Sequence, residues 1–240
     1  MKPYNQTDKT KSEEVREMFD RIAPKYDLLN HTLSAGIDKL WRRRVVRIVR
    51  RRNPRRILDV ATGTGDLAIA LARWLRETRI MAVDPSAGML AEARRKVARE
   101  GLDERIVLAE GVAEQLPAVS DATFDAVTVA FGVRNFGDLD KGLRELHRTL
   151  KPGGQIVILE FSTPTLPVIR TLYRWYSHTI LPRIGGSISK DRSAYEYLPA
   201  SVDEFPAPEL FLKRMAEAGF RNGKARSLTL GIARIYTGER

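Results

Sequence analysis

The chain has 240 residues, with 41 Lys and Arg against 30 Asp and Glu, three histidines (31, 147 and 178) and no cysteine. The absence of thiols excludes disulfides, cysteine zinc sites, thiol nucleophiles and iron–sulfur clusters, and the scattered histidines argue against a metal site. With 43% hydrophobic residues, no membrane-length apolar run and no apolar leader in MKPYNQTDKTKSEE, the expectation is a cytoplasmic globular protein.

Almost all of the +11 net charge lies between Lys39 and Arg56, where ten basic residues meet no acidic one. The rest of the chain is balanced, so the excess points to a local contact rather than a general nucleic-acid coat.

Residues 1–14 are expected to be a disordered tail, and 15–240 a single domain. Within it, 15–53 is helical, broken near Pro24 and at Gly36. From 54 to 161 strands alternate with helices: strands Arg56–Ala61, Arg79–Val83, Arg105–Ala109, Phe124–Ala130 and Gln155–Phe161, and helices Asp66–Glu77, Gly88–Glu100 and Asp140–Leu150. The strands are continuous apolar runs, which suits a parallel sheet covered by helices on both faces. In 162–204 the alternation stops and apolar residues recur at helical spacing, followed by a loop around Gly185-Gly186. The final part, 205–240, holds the helix Pro208–Ala218, stopped by Gly219, and strands Gly223–Leu228 and Gly231–Thr237.

The first strand runs into Ala61-Thr-Gly-Thr-Gly-Asp66, where Gly63 and Gly65 allow a tight turn that brings backbone close to a ligand. With Ala68 the run also satisfies the dinucleotide fingerprint, so the turn alone does not separate a nicotinamide from another nucleoside cofactor. Two acids tip the balance. Asp84 ends the next strand, where a carboxylate accepts ribose hydroxyls, and Asp59 precedes the turn, where it suits a ligand's ammonium group. S-adenosylmethionine carries both. Glu114-Gln-Leu-Pro117, Phe124-Asp125 and Leu150-Lys-Pro-Gly-Gly154 follow in the order found in class I methyltransferases.

Longer motifs are more specific. Phe19-Asp-Arg-Ile-Ala-Pro-Lys-Tyr-Asp27, Gly36 with Leu40-Trp41, Phe131-Gly-Val-Arg-Asn135, Leu159-Glu-Phe-Ser162 and Leu181-Pro-Arg-Ile-Gly185 resemble the demethylmenaquinone and polyprenyl-benzoquinol C-methyltransferases of menaquinone and ubiquinone biosynthesis, over about residues 13–238. The resemblance implies the class I α/β fold, a mostly parallel seven-stranded sheet whose last strand is antiparallel. In that fold 15–53 is a lid, 54–161 the cofactor core, and 162–204 a substrate-binding insert. It further implies cofactor contacts at Thr64, Asp84 and the dipeptide Val112-Ala113, beside those read at Asp59, Gly63 and Gly65. Relatives often have Asn or Asp at position 112 and Ser at position 130; here these are Val112 and Ala130.

Carbon methylation of a quinol calls for an aligned ring, a dry cavity and a cation beside the developing oxyanion. Arg134 is the candidate for that cation, with Asn135 orienting the ring and His178 relaying the final proton. Tyr26 and Asp27 are candidates to cover the site, and Glu160 is a further relay candidate. The apolar residues between Leu166 and Leu181 suit a polyprenyl tail. The basic segment forms a helix with Trp41, Val45, Ile48 and Val49 on one side and Arg43, Arg44, Arg47, Arg50 and Arg51 on the other. Beside a lipophilic substrate, it suggests peripheral contact with an anionic membrane surface. No nucleic-acid partner and no metal are expected, and a homodimer is possible. Two alternatives stand beside this reading: an RNA or DNA methyltransferase tracking phosphates along 39–56, and a non-catalytic adapter of the same fold.

Overall fold

Ile57, Leu58, Asp59 and Val60 are consecutive and all buried, so the strand that holds them needs cover on both faces. The computed structural model, which describes residues 2–4, 6, 8–34, 36–117, 119–180 and 191–240, supplies that cover. Its seven-stranded sheet has the order β3-β2-β1-β4-β5-β7-β6. The strands are β1 (Arg56–Val60), β2 (Arg79–Asp84), β3 (Ile106–Glu110), β4 (Phe124–Ala130), β5 (Leu150–Phe161), β6 (Arg221–Leu228) and β7 (Ala233–Glu239). Strands β1 to β5 pair in parallel, whereas β7 lies antiparallel between β5 and β6. The chain order reverses between β1 and β4, so their carboxyl ends diverge into a crevice, the usual ligand position in such sheets.

One face of the sheet is covered by α2 (Ile37–Arg50), α3 (Asp66–Trp74) and α4 (Ala87–Arg99), with Trp41, Val45, Leu71 and Val97 in one apolar cluster. The other carries α5 (Leu139–Thr149) and α8 (Pro208–Glu217), through Leu143, Leu146, Phe211 and Met215. A third cluster lies off the sheet. There Val15, Met18 and Ile22 of α1 (Lys11–Leu33) pack on Met89 of α4 and on Ala194 and Tyr197 of α7 (Arg192–Glu204). Between β5 and α7 comes α6 (Pro167–Trp175), continued by a π-helical turn, Tyr176–Ile180. No helix among the described residues is long and apolar enough to cross a membrane.

Four expectations are corrected. The expected break near Pro24 is absent: α1 runs through it, because proline's fixed φ suits a helix and the buried neighbours Ile22 and Ala23 hold the two halves together. The break at Gly36 is real, with φ +74°. Inside the segment expected to be a tail, α1 already starts at Lys11, capped reciprocally by Thr10 and Glu13. Fully buried Glu14 also accepts the backbone N–H groups of Tyr4 and Gln6, tying down the residues before the helix. Strand β5 begins at Leu150 and carries Lys-Pro-Gly-Gly within it, as an irregularity opposite Phe124–Ala126 rather than a separate turn. Finally, α7 forms where only loop was expected; its sequence lacks a clean apolar stripe and contains Pro199.

Candidate active site

At the crevice the structure has a cavity of about 650 Å³, walled by the ends of β1, β2 and β4 and roofed by α1. The glycine turn forms its floor. Ala61, Gly63 and Gly65 all take left-handed backbone conformations, and a Cβ at Gly63 would meet nothing within 4 Å, so the backbone there borders open space. Gly65 serves packing instead, since its Cβ would lie 3.3 Å from Ala93 of α4.

Asp84 lines the cavity. Its Oδ2 accepts the Gly63 N–H at 2.8 Å and its Oδ1 the Ser86 N–H at 2.9 Å, so both oxygens are positioned by backbone. Burial pushes its pKa up to about 6, against the pull of those two amides. Each oxygen keeps a lone pair for a further donor, as a ribose diol requires. Val112 and Ala113 line the same cavity beside Glu110 and Gly111, at the place expected for the adenine.

Asp59 and Thr64 are not among the residues that line this cavity. The Asp59 side chain is buried behind the turn, where it accepts hydroxyl hydrogen bonds from Thr62 (2.6 Å) and Thr128 (2.5 Å), and Val60 and Ala61 form the wall in its place. Burial raises its pKa to about 6, opposed by the two hydroxyls and by Arg42. Thr64 turns its hydroxyl toward the lid, donating to Asp27 at 2.5 Å and accepting from Lys96 at 3.1 Å.

The lid motif is explained by its period. Phe19 and Tyr26 stand seven residues apart on one side of α1 and line the cavity. Asp20 and Asp27, also seven apart, bind the cofactor core. Asp20 Oδ1 accepts from Ser86 Oγ (2.6 Å) and Gly88 N (2.9 Å) at the start of α4, and Asp27 pairs with Lys96 at 2.6 Å. Sequence reading missed Asp20 and Lys96; the repeated aromatic–acid pair was the available signal.

Beside the main cavity lies a smaller one, bordered by Asp38, Arg42, Phe161, Arg134 and Tyr197, with Phe19, Tyr26 and Phe131 shared between the two. Arg134 and Asn135 sit in one 3-10 turn, Val133–Asn135, and line different compartments: Arg134 the inner and Asn135 the outer. The Arg134 side chain is buried. Its Nη1 donates to Glu160 Oε1 (2.6 Å) and to the Phe131 carbonyl (2.5 Å), and its Nε to Ser201 Oγ (3.2 Å). Its Nη2 makes no hydrogen bond among the described residues. Glu160, fully buried on β5, also accepts the backbone N–H of Arg134 (3.2 Å) and of Phe161 (2.9 Å). Phe131 and Phe161 stack at 4.4 Å, and the guanidinium lies 5.4 Å from the Phe161 ring centre. Tyr197 donates to Asn135 Oδ1 at 3.1 Å, and burial pushes its hydroxyl up to about 12.

A second buried pair, Arg42 with Asp38, faces the same inner cavity. Burial works against ionisation of Asp38, but the Ser34 hydroxyl and Arg42 outweigh it and hold the carboxyl below its usual range. His31, Asp38 and Asp66 cluster closely here, yet Arg42 and Lys96 already neutralise the two carboxylates. The side chain of His178 and the Leu181–Gly185 motif lie outside the described residues.

The donors and acceptors around the main cavity fit S-adenosylmethionine: a backbone-held carboxylate for the ribose, an apolar slot at Val112-Ala113 for the adenine, and an aromatic roof. Comparison with known proteins agrees. The family model described as the ubiE/COQ5 methyltransferase family matches residues 7–240. A demethylmenaquinone methyltransferase of Bacteroides fragilis is 46% identical over 237 residues, 99% of this chain and 96% of that protein. The ubiquinone/menaquinone biosynthesis C-methyltransferase UbiE of Geotalea daltonii is 48% identical over 231 residues, 96% of this chain and 97% of that protein. Among solved structures, a SAM-dependent methyltransferase of Thermotoga maritima shares the fold, with a TM-score of 0.65 at 19% identity over 93% of this chain and 98% of its own. With family motifs at both cavities and a match over almost its whole length, the chain belongs to the ubiE/COQ5 family of S-adenosylmethionine-dependent methyltransferases.

Proposed function

We propose that this enzyme methylates a ring carbon of a polyprenyl quinol, demethylmenaquinol foremost. The observation that carries this reading is a pair of neighbouring cavities that share Phe19, Tyr26 and Phe131. The outer, of about 650 Å³, has room for a nucleoside; the inner, of about 50 Å³, sets aromatic walls beside a buried guanidinium and widens as the shared rings move to admit the substrate ring. Gly63, Asp84, Val112 and Ala113 hold S-adenosylmethionine, which supplies an electrophilic methyl group when bound.

The remaining work falls to the inner compartment. Loss of a quinol hydroxyl proton to solvent loads electron density onto the ring carbon, and the Nη2 edge of Arg134 steadies the oxyanion; once the carbon carries the methyl group, its own proton leaves to solvent and restores the aromatic ring. A preorganised donor of this kind is worth roughly 3–4 kcal/mol in a water-poor site. Arginine stays protonated, so it polarises rather than abstracts. Glu160 fixes the guanidinium by its Nη1 edge and leaves the other edge for substrate. Asn135, held by Tyr197, orients the ring at the mouth between compartments. Phe131 and Phe161 exclude water and offer the ring a stacking surface.

The test is to incubate the purified protein with methyl-labelled S-adenosylmethionine and either a short-chain demethylmenaquinol or a mixed RNA pool. Label is expected in the quinol. Label in RNA alone would favour the nucleic-acid reading, and label in neither would favour the adapter.

A further inference from the structure

Helix α6 contributes no buried residue to the fold. Val168, Leu172 and Trp175, spaced four and three residues apart, form a stripe along it that is 79%, 60% and 55% exposed, and Leu166 just before the helix extends the stripe. Two other segments bring apolar side chains to the same neighbourhood. The tight turn between β6 and β7 packs Gly231 against Pro164 and Thr165 and leaves Leu230 62% exposed. Thr229 of that turn accepts the Trp41 indole N–H at 2.8 Å, which places exposed Leu40 of α2 next to it. Large apolar side chains of three segments, linked through Gly231 with Pro164 and through Thr229 with Trp41, thus stand exposed.

Arginines dominate the charges these segments carry, with Asp203 the exposed acid that acts on α6. No Asp or Glu occurs between Glu160 and Asp191, whereas Arg170 and Arg174 stand exposed on α6, and Arg43 and Arg47 on α2. An apolar stripe ending in tryptophan, flanked by arginines and free of acids, is the pattern of a helix lying in a membrane interface. A second copy of the chain would set these arginines against their own kind; an anionic lipid surface complements them.

The opposite side of α6 completes the argument. Tyr173 is turned inward, where burial pushes its hydroxyl up to about 12 and Arg134, Asp203 and Glu160 act on it electrostatically. One helix therefore carries Tyr173, within electrostatic reach of Arg134, on one side and the exposed stripe on the other. We propose that the outer face of α6, with Leu40 and Leu230, docks on an anionic bilayer, so that a quinol whose tail stays in the lipid reaches the inner compartment past this helix. The proposal rests on the quinol reading given above, and its test keeps the two apart.

The full-length protein is mixed with vesicles of phosphatidylcholine alone or with phosphatidylglycerol, and binding is read by co-sedimentation. Fluorescence quenching by brominated lipids, compared between wild type and W175F because Trp41 and Trp74 also emit, reports whether Trp175 enters the bilayer. Wild type should bind the anionic vesicles and be quenched; L172E should bind them at least about tenfold more weakly, since a charge replaces an inserted apolar side chain. L230E, on the same face but outside the substrate-binding insert, should match wild type on a tail-less quinol in solution and lose turnover on a long-tailed quinol in vesicles. Unchanged vesicle binding by L172E would overturn the docking face, as would a wild-type dimer in ultracentrifugation that L172E dissolves. Failure of wild type on the tail-less quinol would instead count against the quinol reading and leave the vesicle result standing.

Discussion

The two halves of the site solve opposite problems. At the ends of β1 and β2, the carboxylate of Asp84 is held by backbone N–H groups of the turns beside it, 21 and 2 positions away in the chain. At the ends of β4 and β5, a buried arginine is held by a carboxylate 26 residues away and a serine 67 residues away. Its surroundings are completed by the N-terminal helix and by α7. The cofactor half is assembled from local backbone and is finished once the sheet forms. The reaction half exists only when the lid and the insert have docked.

Breaking the Arg134–Glu160 pair should therefore have the largest effect. Arg134→Met leaves Glu160 charged, buried and unpaired, which should destabilise the fold by about 3–5 kcal/mol in denaturant unfolding and depress turnover by at least ~100-fold. Cofactor affinity, measured by calorimetry, should barely change. Arg134→Met combined with Glu160→Leu should recover most of the stability and none of the turnover. If the double variant turns over like wild type, the pair is structural and the oxyanion assignment is wrong.

Next in size is Asp84→Asn, which should weaken cofactor binding by about 10–100-fold, the loss of charge-assisted hydrogen bonds. The wild-type protein should show its own pH dependence. With the carboxyl raised to about 6, lowering pH through that value removes the charge that the ribose donors prefer, so the dissociation constant rises. Asp84→Asn should flatten that profile. The coupling between the halves is smaller. Asp20→Ala removes the cap that α1 supplies to α4 and should cost about 1 kcal/mol, or ~2–4 °C in melting temperature.

How much of this was legible in the sequence follows the same division. The strands, the glycine turn and Asp84 were readable because hydrophobic runs, glycine backbone freedom and strand-end position are local properties. The capping box Thr10–Glu13 was equally local, but lay in a polar stretch that composition marks as tail. The matching of Arg134 to Glu160, and of Asp20 to the start of α4, was not readable, because each partner is chosen by how distant elements pack. Family motifs marked those residues without saying what they touch.

Asp59 is the sharpest case, since its position in the sequence suggests the same duty as Asp84 and both are raised by burial to about 6. Spacing places it at the strand end; the hydroxyls of Thr62 and Thr128 decide which way it faces. Asp59→Asn should accordingly change cofactor affinity by no more than about twofold, the scatter expected of a site without direct contact. Its effect belongs to stability. A carboxyl raised from an ordinary ~3.9 to about 6 favours the fold while protonated, and that contribution, about 3 kcal/mol, is present below pH 4 and lost as pH rises through 6. Asparagine does not titrate, so the variant should lose this share of the decline between pH 4 and 7 in unfolding measurements, together with the part of the Asp84 share that the Asp59 charge contributes. If Asp59→Asn instead weakens cofactor binding as severely as Asp84→Asn, its carboxylate reaches the ligand, and the threonine pair is not what holds it in the bound enzyme.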